Sequence, residues 1–448
     1  MKLFRTLVAV LVVCILLWCN AVIAETVTLE ESASSGNVWQ VNSTVNVRGV
    51  LKTPQQGGEL RAMPLKVDAT FRYRERRLPG AGRDAQTLRS LREYESATAA
   101  IEVDRDKSSS KLQDTNKLVV AHGRREGIQF YRPSGTMTVS ELELLHTPGD
   151  SLAILGLLPP KAVEVGDSWT PETWVPQMLT ATEALLKADL KCRLESAEND
   201  RAEISFQGEV EGALEGTTTK LRLSGALTFD MRQNYVRHVE LTQTEQRSVG
   251  PVSPGMDVTA SVTLDRSPAP SNGRLTQRQT DATPLEPTAE MLALKLQLGN
   301  GTTVQHSRDW RVFHQSGRNA ILRWVKEGSL IAQANLTTLP NAAPGEHLPI
   351  AQFEANIKKG LGDSDRFTSS ERVTKFKRFV HRIEVTGRTR ELDMVHRYYL
   401  VADESGRQGI WGVSFEKELQ PQFGDADEKL IEQTTFVDQT VTPASANE

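Results

Sequence analysis

The chain is 448 residues long with a formal net charge of −4, from 53 Lys and Arg against 57 Asp and Glu. That length suggests two or three domains, and the mildly acidic balance argues against nucleic acid as the main partner. Beyond the first residues, no run is apolar enough to span a membrane.

The first residues read as a secretory signal. Lys2 and Arg5 give a positive start, Leu7 to Trp18 is an apolar run of signal length, and Ala21-Val22-Ile23-Ala24 offers a small-residue cleavage site. Cleavage near Glu25 places the mature protein in a periplasmic or extracellular setting. Lipidation at Cys19 and an uncleaved N-terminal anchor are the alternatives. Of three cysteines only Cys192 then remains, so packing alone holds the core. Cys192 alternates with Leu190 and Leu194 and reads as a buried structural thiol.

From Val38 to about His146, alternation predicts antiparallel strands. Val41, Val45 and Val47 begin the first. In Leu65 to Tyr73, Val67, Ala69, Phe71 and Tyr73 share one face while Asp68, Thr70 and Arg72 share the other. A basic loop with Pro79, Gly80 and Gly82 follows. Further strands are expected around Tyr94 to Val103, Lys117 to His122, Ile128 to Tyr131 and Thr136 to His146. Asp150 is placed to cap a short helix, Ser151 to Leu157, ended by Pro159-Pro160. The stretch Leu157 to Trp174, LLPPKAVEVGDSWTPETW, reads as a junction. Gly166-Asp167 is a turn signal, Trp169 presents a large ring to the core, and Thr170-Pro171-Glu172 starts a helix expected to reach about Leu186.

A meander follows, with apolar alternation at Ile204, Phe206 and Val210, at Leu221, Leu223, Leu227 and Phe229, at Val239 and Leu241, and at Val258, Val262 and Leu264. Turns at Glu215-Gly216, Arg232 to Asn234 and Gly250 to Gly255 give hairpin spacing. The pattern predicts a curved antiparallel sheet or half-barrel, its apolar side covered by the helices near Asp150 and Pro171. Ser267 to Thr288, with Pro268, Pro270, Pro284 and Pro287, reads as a linker. After it, strands are expected at Trp310 to Phe313, Ala320 to Val325, Leu330 to Thr338, Phe379 to Val385, Met394 to Val401 and Gly409 to Phe415. Helices are expected from Ile350 to Leu361 and from Pro421 to Gln433. The organisation is thus α+β: a signal peptide over 1–24, a β-rich domain over 25–266, a Pro-rich linker over 267–288, a smaller α/β domain over 289–437 and a disordered tail over 438–448.

No catalytic motif stands out. The eight histidines are scattered and none has metal-ligand spacing. His381 and His396 lie on strands that could pair about Gly387. There is no Gly-x-Ser-x-Gly elbow and no phosphate-binding loop. Asp363 and Asp365 share a loop, but Thr368 and Thr374 stand where a calcium loop needs glycine and glutamate. No cofactor or metal is expected. Two basic clusters are candidate partner-binding residues: Arg72, Arg74 and Arg76 on one strand face, and Lys375, Lys377 and Arg378 before the Phe379 strand. Each has a bland reading as a solvated face balanced by Glu75 or Glu371.

LLPPKAVEVGDSW, followed by LLKADLKCRLESAENDRAEISFQGEVEG and GALTFDMRQNYVRHVELTQTEQRS, resembles an uncharacterised family of secreted, β-rich bacterial proteins of planctomycete type, over roughly Leu152 to Leu264. That resemblance carries no activity. Asp309-Trp310 and the stretch HRYYLVADESGRQGIWGVSFEKELQPQFGDADEKLIEQTTF look PsbP-like, which implies a smaller α/β/α sandwich and a non-enzymatic binding or assembly role. The first expectation is therefore an exported, non-enzymatic binding or scaffold protein whose partner is an envelope protein or a small apolar ligand. The rival is a hydrolase of envelope or polysaccharide substrates using carboxylates such as Asp104, Asp106 or Glu143, two of them within about 10 Å in a cleft. A lipid carrier is the third, and it requires an apolar cavity between the sheet and the two helices.

Overall fold

The computed structural model describes residues 26–436, except 32–35, 56–58, 81–83, 115–116, 125–126, 215, 251–252, 327–328 and 390. The expected signal peptide over 1–24, Cys19, Gly82, Glu215 and the tail over 438–448 lie outside the described residues.

The chain is α+β. Its first strands are β1 (Val38–Pro54), β2 (Leu60–Arg77), β3 (Arg89–Val103), β4 (Asp106–Lys111), β5 (Leu118–Arg124), β6 (Gly127–Tyr131) and β7 (Met137–Thr138). They continue with β8 (Ser168–Trp169), β9 (Ala184–Glu198), β10 (Arg201–Leu214), β11 (Thr217–Asp230), β12 (Tyr235–Arg247) and β13 (Gly255–Ala269). All but β7 form one 12-stranded sheet in the order β6-β5-β3-β2-β1-β13-β12-β11-β10-β9-β8, with β4 beside β3. β1 joins the two meanders, pairing Val45 with Ala69 of β2 and with Val262 of β13. Long antiparallel strands twist and coil. The inward set, including Val41, Phe71, Leu223, Leu241 and Leu264, is buried on the concave side of a half-barrel.

The concave side is filled by short helices, and here the structure departs from simple alternation. Thr136 to His146 is a strand only at β7; it then turns into α1 (Val139–Leu145). Thr138 Oγ1 accepts from Glu141 N at 3.2 Å and Glu141 Oε2 accepts from Thr138 N at 2.9 Å. This reciprocal cap starts a helix where the apolar pattern alone reads as a strand. The helix expected to reach Leu186 is shorter: α2 (Trp174–Thr180) stops at Ala181, which is left-handed at φ 57°. From Ala184 onward the backbone is committed to pairing with β10. Ala153–Leu157 forms a 3-10 turn between α1 and α2. Leu142, Leu145, Ile154, Leu157, Met178 and Leu179 pack from these segments onto the sheet. Gly156 permits the close approach, since a Cβ there would stand 2.4 Å from Val175.

The proline-rich stretch is not a free tether. Ser267 to Ala269 finish β13, and the chain beyond them, including α3 (Gln277–Asp281), is strapped over the convex face. Leu275 is fully buried against Val38, Leu78, Leu91 and Val120. Arg76 donates to Ser271 Oγ at 2.9 Å and Leu275 O at 2.8 Å, Tyr131 donates to Pro284 O at 2.7 Å, and Glu286 meets Arg89 at 2.6 Å and Arg124 at 2.8 Å. One buried leucine and several polar ties compensate for the missing apolar residues.

The smaller part begins with α4 (Ala289–Leu292), β14 (Leu294–Gln297) and β15 (Thr302–His306). It continues with β16 (Trp310–Gln315), β17 (Asn319–Lys326), β18 (Ser329–Thr338), α5 (Ile350–Lys359), β19 (Arg366–Arg372), β20 (Phe379–Thr389), β21 (Leu392–Ala402) and β22 (Gln408–Glu416). It ends with α6 (Gln420–Phe423), α7 (Ala426–Glu432) and β23 (Thr434–Phe436). Gly424, at φ +58°, divides the expected last helix into α6 and α7. Seven strands form an antiparallel sheet in the order β16-β17-β18-β22-β21-β20-β19. Phe353 of α5 covers Ile383, Val385 and Leu400 on one face. Phe423, Leu430 and Ile431 cover Tyr399, Trp411 and Phe415 on the other, which makes an α/β/α sandwich. A small sheet, β23-β15-β14-β7, ties the two parts through a parallel pairing of Leu294 with Met137. Arg308 reinforces it by donating to Phe130 O at 2.6 Å.

Trp169 is half-buried against the main core, and its Nε1 donates to Leu157 O at 3.0 Å. Partial burial and one hydrogen bond together predict that Trp169→Ala costs about 2 kcal/mol. Trp169→Phe, which keeps most of the packing, costs about 1 kcal/mol. Urea unfolding of the two variants checks the order.

Candidate functional site

The residues singled out from sequence are mostly occupied with the fold. Arg72 is exposed and pairs with Glu95 at 2.7 Å. Arg74 pairs with Glu93 and Asn272, and Arg76 is buried under the strap. Lys375 pairs with Glu428, Lys377 is exposed, and Arg378 donates to Glu432 O at 2.6 Å and to Ile431 O, capping the end of α7. The six therefore do not converge on one patch: Arg76 and Arg378 are internal ties, and Arg72, Lys375 and Lys377 reach solvent. Asp104 sits on the β3–β4 turn and pairs with Arg61 at 2.9 Å; Asp106 begins β4. Asp167 closes its turn, accepting from Glu164 N at 2.9 Å. Cys192 is buried, which pushes its thiol up to about 12. In the β20–β21 hairpin His381 faces Leu400 and His396 faces Val385, so the two histidines are not cross-strand partners.

His381 Nε2 lies 2.8 Å from Ser370 Oγ, which donates to Glu354 Oε1 at 2.5 Å. The carboxylate here contacts the serine rather than the imidazole. The hydroxyl proton is already held by Glu354, and the order needed to activate a nucleophile is reversed. No group of three or more His, Cys, Asp or Glu is arranged for a metal ion among the described residues.

Two constellations of polar residues face the concave interior. The first is built from the ends of β2, β3 and β13, which lie on either side of β1 in the sheet. Arg92 forms a two-pronged pair with Asp150, at 2.7 and 2.6 Å, and also donates to Ser151 Oγ at 2.9 Å. Ser151 donates to Glu75 Oε2 at 2.7 Å. Arg266 forms a second two-pronged pair with Glu31, both bonds 2.7 Å, and stands 3.6 Å from Glu75. Arg77 lies 3.6 Å from Glu31. Three arginines and three carboxylates are thus buried together and balance in charge. Burial alone would raise Glu31, but Arg266 outweighs it and holds the carboxyl below its usual value. Arg77, Arg92 and Arg266 do the same for Glu75. Carboxylates held ionised this way are poor general acids.

The second constellation lies around a cavity of about 360 Å³ between the two parts of the chain. Ile128, Val139, Leu142, Leu221 and Leu294 give apolar walls, and Arg311 and Val312 of β16 close it from the smaller domain. Its polar floor is the end of β12. Alternation through Val239 and Leu241 continues inward as Gln243, Glu245 and Arg247, three polar residues where the pattern calls for apolar ones. Glu245 pairs with Arg247 at 2.7 Å and accepts from Thr219 Oγ1 at 2.9 Å. Glu183 pairs with Arg311 at 2.7 Å across the domain junction. Gln243 is 4% exposed, and its Oε1 meets no donor among the described residues. His146 also lines the cavity, and Glu143, one of the carboxylates considered for hydrolysis, lies beside it, exposed. His146 is exposed at the rim of the cavity, and desolvation by the protein packed around it lowers its pKa. Apolar alternation in the sequence ends at Leu241, so it does not reach this floor. The one signal available beyond it was the run of polar residues on an inward parity.

No protein-family model and no curated protein matches the chain. Among solved structures it is similar to a protein of unknown function from Pseudomonas aeruginosa described as a putative regulator, at 13% identity and TM-score 0.22, over 34% of this chain and 99% of that one. It is also similar to lipovitellin, described in terms of lipid–protein interactions, at 8% identity and TM-score 0.30, over 54% of this chain and 26% of that one. The Pseudomonas aeruginosa MucA/MucB complex gives 10% identity and TM-score 0.15, over 90% of this chain and 95% of that one. Likeness at these scores carries no argument.

Breaking one member of a buried ion cluster leaves charges uncompensated, so Arg92→Met is expected to cost about 3–5 kcal/mol in urea unfolding. The pH dependence has a definite sign. His122 is buried, and desolvation lowers its pKa to about 4, so below pH 6.5 the unfolded chain binds a proton that the fold refuses. His122 alone should therefore contribute about 2 to 3 kcal/mol to the stability lost between pH 6.5 and 4 in thermal melts, the share that His122→Leu removes, while the other histidines with lowered pKa values add theirs. The depressed Glu31 and Glu75 add a further loss as pH falls below their unfolded value of 4.5.

Proposed function

We propose that this is an exported, non-enzymatic binding protein that holds a small ligand between its half-barrel and its smaller domain. The observation that carries the reading is the cavity itself. It combines apolar walls with a few convergent polar groups, the usual make-up of a ligand site. Its size, about 360 Å³, is at the lower end of the usual range for such sites. A non-enzymatic role is supported by the partners of the nearby charged groups: Glu245 is engaged by Arg247 and Thr219, and Glu183 by Arg311. Export is supported by the signal-like N-terminus and the small-residue site ending at Ala24.

The test is native mass spectrometry of the full chain purified from its own host. The expected spectrum carries an extra mass that is released on denaturation. Ile128 and Val139 are half-buried cavity-lining residues, so Ile128→Trp and Val139→Trp should fill the space and abolish that mass while leaving the far-UV circular dichroism unchanged. Bare protein from the native host, or a bound mass that survives both substitutions, overturns the reading.

A further inference from the structure

The 12-stranded sheet is open, and its two ends differ. At β6 the carbonyls of Ile128 and Phe130 accept from His146 Nε2 at 3.1 Å and from Arg308 at 2.6 Å. At the other end β8 is two residues long and pairs with β9 at Cys192 and Arg193 alone. Leu194 N donates to Asp167 O at 3.0 Å and Leu194 O accepts from Gly166 N at 2.8 Å, so the backbone groups of Leu194 point away from β10. This direction alternates along a strand, and the pairing of β9 with β10 is regular from Leu194 to Lys187. The N–H and C=O of Leu190 and Ala188 therefore also point outward, and no strand among the described residues pairs with them there. Such an edge is a template for another strand. Its side chains leave it open: Leu186, Lys187, Ala188 and Asp189 are exposed, and Leu186, at 65%, is the most exposed large hydrophobic residue among those described.

The charges on this edge select the occupant. Lys187 and Asp189 share one face of β9 and stand opposite Glu211 and Glu209 of β10. Asp189 thus faces a like charge, and Glu209 is itself paired with Arg222 at 3.1 Å. The flanking Lys191 is 3.9 Å from Asp189. A second β9 laid antiparallel about Ala188 places Lys187 opposite Asp189 of the other copy and Asp189 opposite its Lys187. These are the non-hydrogen-bonded positions, where facing side chains come closest. Centring the two-fold axis on Lys187 or on Asp189 instead sets like charges against each other, and centring it on Leu190 runs into β8 at Cys192. An alternation that matches itself when reversed is what a two-fold interface requires. A lysine and a bulge at Leu186 keep edges apart when nothing answers them. Here the aspartate two places on answers the lysine, and the bulge limits the length of the paired run.

We propose that the edge of β9 over residues 186–190 is a self-association surface, on which two copies of the chain pair β9 with β9, antiparallel about Ala188, and join their half-barrels into one sheet. The paired run is short, so the dimer is weak and reversible. The proposal is independent of the ligand reading.

Sedimentation velocity of the full chain over a range of concentrations tests it. The wild type should pass from monomer to dimer as concentration rises. Lys187→Asp and Asp189→Lys, each alone, make both cross-copy pairs repulsive and should weaken the dimer about 10-fold or more. Mixed in equal amounts, the two variants should associate with each other, because every lysine at these positions then meets an aspartate. Ala188→Pro removes an outward N–H without breaking the ladder to β10, so it should abolish the dimer and leave the far-UV circular dichroism unchanged. A wild type that stays monomeric overturns the proposal and leaves the edge to a strand of another protein. A dimer that survives Ala188→Pro, or single charge variants that do not associate when mixed, overturns it as well.

Discussion

The half-barrel is organised by a buried cluster of like numbers of arginines and carboxylates. Glu75 and Arg77 come from β2, Arg92 from β3, Arg266 from β13, Glu31 from the N-terminal segment and Asp150 from the turn after α1. Each pairing crosses between elements distant in sequence. Moving any strand by one residue would turn its charged side chain to the convex face and leave the others unpaired. The desolvation of so many charges is costly, and ion pairing inside a protein only roughly offsets it. The cluster therefore matters more for which arrangement is adopted than for how much net stability results. It excludes the registers and helix placements that an apolar core alone would tolerate.

The cluster also explains why the interior helices are short. Asp150 accepts from Leu152 N at 2.8 Å while holding both arms of Arg92. The chain is pinned to the sheet at that point, between α1 and the 3-10 turn, and cannot continue as one long helix. Trp39 and Tyr73 contribute ring faces to Arg266 and Arg92, at 5.0 and 5.1 Å. The aromatic residues on the inward parity thus serve the charges as well as the apolar core.

Much of this was legible in the sequence, for a physical reason. Val67, Ala69, Phe71 and Tyr73 alternate because a half-barrel has one dry face, and the same rule exposes the meander from Ile204 to Leu264. The rule fails where a local bond competes with it. Thr138 and Glu141 form a capping box whose signature, Thr-x-x-Glu, is visible in the sequence but sits inside an apolar run. Leu275 shows the converse: one buried leucine among prolines and threonines gives no period, yet it anchors the strap. The candidate site was harder still. Gln243 and Glu245 carry the inward parity of β12, but a polar residue there reads as the end of a strand until the neighbouring walls are known.

The two inward polar constellations obey one geometric rule and have opposite electrostatic outcomes. At the ends of β2, β3 and β13, each charge finds a partner of opposite sign within the fold. At the end of β12 the charged pairs close on themselves and the amide of Gln243 is left over. That place is walled on one side by a 12-stranded ladder and on the other by the smaller domain, held there by the short β7–β14 pairing, by Arg308 and by Arg311. Local opening follows the weakest set of bonds. The junction is therefore the less firmly held wall of the cavity.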